Sequence, residues 1–100
     1  MRNSVMLIGR PTKPMAQEYK MATFKLIVRE NNDSQKHYRF DCVAYGTAAK
    51  RVLSKVEEGM QIAIDGSLRN FDYEDRQGHT HTHTEIVVND LFLIDKPKEV

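Results

Sequence analysis

The chain is mostly period-two alternation of apolar and polar residues, broken once by a period near 3.6. Residues 20–30, KMATFKLIVRE, set Ala22, Phe24, Leu26 and Val28 on one face and Met21, Thr23, Lys25, Ile27 and Arg29 on the other. Successive strand side chains point to opposite faces, so the first set is expected inward. Residues 36–46, KHYRFDCVAYG, alternate likewise: Tyr38, Phe40, Cys42 and Ala44 are expected inward, and His37, Arg39, Asp41, Val43 and Tyr45 outward. In residues 60–73 the inward row is Met60, Ile62, Ile64, Gly66 and Leu68, and the outward row ends Arg69, Phe71, Tyr73. Residues 4–10, SVMLIGR, are a short apolar run closed by Gly9 and Pro11, which fits a strand buried on both sides.

The exception lies between Thr47 and Glu58, where Ala48, Ala49, Val52, Leu53 and Val56 recur at helical spacing. Thr47 is a competent N-cap, and Gly59 stands where a left-handed residue would close the helix. After it, YEDRQGHTH reads as a hairpin tip with Gly78 able to take positive φ. The returning strand is HTHTHTEIVVNDLFLID, with a break expected at the turn-favouring pair Asn89-Asp90. ENNDSQKH is a loop between the second and third strands, and the polar residues 96–100 form a short tail that should fray. The order is strand, strand, strand, helix, strand, strand. This predicts an all-β fold with one helix: a five-stranded OB-fold barrel over residues 1–95, with an extended hairpin of the fourth and fifth strands.

Composition narrows the function. At 100 residues with 40% hydrophobic and 29% charged, this is one small globular domain. The single cysteine, Cys42, precludes an intramolecular disulfide and suits a reducing, cytoplasmic setting. The sequence has no membrane-length apolar run and no long apolar run at its start. Net charge is only +1, but residues 1–30 carry six Lys/Arg against two Glu, and residues 66–100 carry four against seven acids. Local field matters more to a polyanion than the total. The sequence lacks a Gly-rich phosphate loop and a paired-cysteine zinc motif. Cys42 falls in an inward row, and Asp41 and Asp65 are single outward carboxylates, so no enzyme, cofactor or metal site is expected.

The outward rows place Lys25, Arg29, Arg39, Tyr45, Arg69, Phe71 and Tyr73 on one side, with Arg10 as a further cation near the N-terminus. Bases stack on aromatic rings and Lys/Arg follow phosphates, so such a face suits single-stranded nucleic acid. The same residues also fit a plain structural role, with Tyr45 covering the helix start and Phe71 and Tyr73 pairing across a hairpin. In a strand, His79, His81 and His83 share a face with Glu85. They read as solvated strand residues rather than a zinc site, or as rings extending a DNA-contact surface that charge in mild acid. Val43 on an outward row, with so small a core, suggests self-association.

The segments VMLIGRPTKP, FDCVAYGTAAKRVLSKVEEGMQIAIDGSLRNFDYED and GHTHTHTEIVVNDLFLI resemble, in order and spacing, the bacterial single-stranded DNA-binding protein family. The resemblance runs over residues 4–94 with a shortened first loop near 12–20. It implies an OB-fold that assembles, usually as a homotetramer, and wraps single-stranded DNA during replication, recombination and repair, in the cytoplasm with the nucleoid. By position, Tyr45 and Tyr73 fall on stacking aromatics of the family and Arg69 on a family cation. Two other family aromatics fall near Asn32 and Arg39, where this chain has none; Arg39 can still stack through its guanidinium plane. The family's flexible linker and acidic recruiting tip have no counterpart before Val100. The expectation is therefore a short member or a truncated chain, in this respect resembling the small primosomal OB-fold protein, which loads other replication factors. An OB domain that binds only proteins is the rival reading.

Overall fold

Each alternating stretch forms a strand, and the helical stretch closes one end of the sheet they make. A computed structural model describes residues 2–30 and 35–96. The elements are β1 (Val5–Pro11), β2 (Met15–Gln17), β3 (Met21–Arg29), β4 (His37–Tyr45), α1 (Gly46–Lys55), β5 (Gln61–Glu74) and β6 (Thr80–Asp95). The sheet order is β1-β5-β6-β4-β3-β2, and β1 also pairs with β3. Five strands therefore close into a ring, with every pairing antiparallel except β4 on β6. This is the connectivity expected of the OB barrel. The sixth strand, β2, lies where only a loop was expected; its three residues extend the sheet beyond β3.

The inward rows make the core: Ala22, Phe24 and Leu26 of β3, Cys42 and Ala44 of β4, Ile62 and Ile64 of β5, and Ile86, Val88 and Leu91 of β6. Helix α1 adds Ala49 and Val52 to the same cluster, and Val56 and Met60 follow it. The helix is shorter than the sequence pattern, because Val56 leaves helical geometry as its C-cap. The Thr47 cap does not form: Tyr45 occupies the N-cap position without a side-chain cap hydrogen bond. Gly46 makes the corner at φ +56°, a backbone angle that glycine takes without steric cost. The strand therefore passes into the helix with no spacer, which leaves the Tyr45 ring at the rim of the outer face.

Five further expectations are corrected. β1 is not buried on both sides: its core side carries Val5, Leu7 and Gly9, and Met6 and Ile8 on the other side are exposed. Tyr38 is exposed, because β4 begins beyond the end of the core. Leu68, placed inward by alternation, is 47% exposed. It lies past Gly66, the last residue of β5 that pairs with β1, so among the described strands only β6 remains beside it. Val43, placed outward, is only 2% exposed. It sits mid-strand between Thr23 of β3 and Val87 of β6 on the outer face, so the monomer itself covers it. Finally, β6 does not break at Asn89-Asp90. Asp65 pairs with Asp90 and Gly66 with Val88, leaving Asn89 as the extra residue of a bulge, and the strand runs on. At this crossing a Cβ on Gly66 would lie 2.2 Å from the Val87 carbonyl oxygen, so only glycine fits. The expectations for Asn32 and for the tail past Lys96 lie outside the described residues. No helix of the described residues is long and apolar enough to cross a membrane.

Candidate nucleic-acid interface

Beyond the pairing of β6 with β4 at Ile86 and Val87, β5 and β6 continue as a two-stranded arm whose register follows from its tip. Asp75 and His79 close the tip through a backbone hydrogen bond of 2.9 Å, and Gly78 turns the chain at φ +82°. The Asp75 Oδ1 accepts from the amides of Gln77 and His79, both at 2.9 Å. Its Oδ2 lies 2.7 Å from His81 Nε2 and 3.7 Å from His79 Nδ1. The His81 hydrogen bond foremost, then the backbone amides, hold the Asp75 carboxyl below its ordinary value of 3.8.

From this tip the pairs count outward: Tyr73 opposite His81, Phe71 opposite His83, Arg69 opposite Glu85. All six side chains lie on the outer face. Tyr73 stacks on His81 with ring centroids 5.4 Å apart and planes 25° apart. Phe71 meets His83 at 5.2 Å and 56°. His83 Nε2 also lies 3.5 Å from Glu85 and 3.8 Å from Asp41 of β4. The histidines are thus neither merely solvated nor convergent. Each of the last two backs an aromatic ring and faces a carboxylate. Among the described residues, no set of three or more His, Cys, Asp or Glu side chains is arranged to hold a metal ion.

Where the arm joins the barrel, Arg69 donates from Nε to Glu85 Oε1 at 3.0 Å, and from Nη2 to both Glu85 and the Tyr45 hydroxyl. Its guanidinium carbon lies 5.4 Å from the Tyr45 ring centroid. Glu85, and after it Tyr45, raise the Arg69 pKa further, so this cation is permanent. The result is one continuous outer row, Tyr45, Arg69, Phe71, Tyr73, with every aromatic ring in it exposed.

Lys25 reaches the same region. It pairs in register with Asp41 and lines a cleft of about 470 Å³ with Lys13, Asp41, His83 and Glu85. The other predicted cations lie around the barrel wall. Arg10 pairs in register with Ile27, and Ile27 with Arg39, while Arg29 is two residues further along the same face. Arg10 and Arg29 line a second cleft of about 730 Å³ with Glu30 and Glu58, and Arg10 donates to the Gly59 carbonyl at 2.6 Å. The eight predicted residues therefore form two groups: the arm with Lys25, and the trio Arg10, Arg29 and Arg39. Cys42 lies in the core, and burial, followed by the Asp41 charge, pushes its thiol up to about 12. It is no nucleophile at neutral pH. Sequence reasoning placed Asp41 outward and Glu85 beside the histidines, but it missed their partners Arg69 and His83 and the role of Asp75 at the tip. The signal was present: counting back from Gly78 places Glu85 opposite Arg69.

The model of the single-strand binding protein family matches residues 2–94. A protein of Streptococcus pyogenes serotype M18, single-stranded DNA-binding protein 1, is 33% identical over 105 residues, covering 96% of this chain and 81% of the relative. The single-stranded DNA-binding protein of Clostridium perfringens is 28% identical, and the match covers 93% of this chain but 66% of that protein's length. Among solved structures, a mitochondrial single-stranded DNA binding protein of S. cerevisiae superposes with a TM-score of 0.80 at 14% identity, over 96% of this chain and 98% of that one. A Plasmodium falciparum complex of such a protein with single-stranded DNA superposes at 0.77 with 25% identity, over 95% and 97%.

The tip makes an acid-range prediction. A carboxyl held below its unfolded value stabilises the fold fully above that value and ceases to do so as pH falls through the folded one. The Gln77 and His79 amide proton shifts should therefore titrate together in acid with a midpoint below 3.8. Asp75→Asn should abolish both titrations and leave barrel amides unmoved. A midpoint at or above 3.8, followed by NMR, would contradict the geometry of the tip.

Proposed function

The chain belongs to the single-strand binding protein family, and from that premise we propose that it binds single-stranded DNA without strong sequence preference. It is a non-enzymatic protein of the cytoplasm and nucleoid that shields transient single strands during replication, recombination and repair, with residues 1–95 as the binding unit. The observation that carries this reading is the exposed row of Tyr45, Phe71 and Tyr73 flanked by Lys25 and Arg69. Aromatic faces accept any base, and stacking is worth about 1–3 kcal/mol per base. Arg39, Arg29 and Arg10 extend the cationic side around the barrel wall, in the direction a wrapped strand would take.

The active form is a homo-oligomer, a tetramer in preference to a dimer. Support comes from a different surface than the one the sequence suggested, since Val43 is covered within the monomer. Across β1, β5 and β6 the outer face aligns Ile8, Ala63 and Phe92 in register, with Met6 and Ile94 beside them. Met6, Ile8, Phe92 and Ile94 are all exposed. A contiguous apolar face of this kind marks an association surface.

Two outcomes are expected. In fluorescence-anisotropy titrations with labelled oligothymidylate, Tyr73→Ala and Tyr45→Ala each weaken binding by about 1–3 kcal/mol, once circular dichroism shows the variants folded. Tyr73→Ala leaves the slope of log K against log salt unchanged, because that residue pairs with no phosphate. No salt-sensitive binding by the parent protein would end the proposal. In light scattering the parent runs as an oligomer and Ile8→Glu shifts it toward monomer. A parent mass that stays monomeric at tens of micromolar would overturn the assembly.

A further inference from the structure

The Arg69–Glu85 pair is oddly placed for a face that meets a polyanion. A guanidinium recognises phosphate best through two parallel N–H bonds. The side-on edge of Arg69, formed by Nε and Nη2, is already taken: both nitrogens donate to Glu85 Oε1, and Nη2 also to Tyr45. Among the described residues Nη1 has no partner. The Arg69 side chain is 45% exposed while that of Glu85 is 14% exposed. The carboxylate thus sits beneath the arginine, poorly hydrated, with His83 at 3.5 Å on its other side and Asp41 beyond His83. A purely structural arginine would be covered, and one kept only for phosphate would have its fork free.

From this geometry we infer that Glu85 is an internal competitor of the DNA backbone for Arg69. Resting on the reading of this face as the single-strand site, the inference gives Glu85 a definite role. In the free protein its carboxylate stands in for a phosphate and keeps the guanidinium oriented over Tyr45. A bound strand takes the Nε–Nη2 edge only by displacing it, and the displaced carboxylate turns toward His83. The arginine end of the pair is 45% exposed, so water screens it there, its strength is modest and displacement is feasible. Glu85 therefore lowers affinity and makes release easier, without contacting a base.

The experiment is a double-mutant cycle with oligothymidylate at low salt. Glu85→Gln keeps the shape and removes the charge. It should tighten binding by about two- to fivefold, the scale of an exposed ion pair. In an Arg69→Ala background the gain from Glu85→Gln should shrink markedly. A gain of equal size in both backgrounds would mean only a change in bulk charge and would overturn the inference. Weaker or unchanged binding by folded Glu85→Gln would also overturn it, because Glu85 would then serve Arg69 rather than oppose the strand. A second measurement does not depend on the variant: the Arg69 Nε–H resonance of the parent protein should move on saturation with oligothymidylate. A resonance that stays fixed at saturation contradicts displacement. Failure of the parent to bind oligothymidylate at all would instead defeat the functional reading itself.

Discussion

The pairing register of β5 against β6 is the constraint on which the rest of the molecule depends. It is held at two points. At the tip, Asp75 collects two backbone amides and Gly78 supplies the turn. At the base, Asn89 is bulged out and Gly66 lets the Val87 carbonyl approach. A slip of one residue would exchange the two faces of the arm. Tyr73, Phe71 and Arg69 would then turn away from Tyr45, and the row of rings would be lost. Past Gly66, β5 no longer has β1 beside it, and this is why Leu68 follows the inward alternation yet stays half exposed.

The electrostatics of the face are less simple than a basic patch. Local cations attract a polyanion whatever the total charge, here +1. Yet the arm interleaves its cations and rings with Asp75, Glu85 and Asp41. Each acid has a local partner: His81 for Asp75, Arg69 for Glu85, and His83 beside Asp41. The face is a set of partnered acids with aromatic surfaces between them. On the proposed reading, such a surface binds through stacking first and through rearranged ion pairs second. That suits a protein whose strand must be held and then surrendered.

The ring of strands, the helix and the row Tyr45, Arg69, Phe71, Tyr73 were legible because period-two alternation, one break in it, and the resemblance over residues 4–94 all pointed to one topology. Val43 and Leu68 were not, for a shared reason. Alternation assigns a face, but burial depends on what lies beside that face. Val43 has a neighbouring strand on each side, and Leu68 has one on one side only. The bulge at Asn89 was read as a break because a turn-favouring pair signals irregular backbone without saying whether pairing resumes. The histidines were legible as one side of a strand. Their partners required the register, and that needed a count from Gly78 that single-strand patterning does not make. The β1–β5–β6 apolar face went unseen because it is assembled from three segments distant in sequence.

The central claim is that the arm's outer row, not the apolar face of β1, β5 and β6, receives the strand. Photocrosslinking with an oligothymidylate carrying 5-bromodeoxyuridine, followed by mass-spectrometric mapping of the adducts, tests this most directly. The account predicts adducts on Tyr73, Phe71 and Tyr45. Adducts on Phe92 or Met6, with none on the arm, would contradict it.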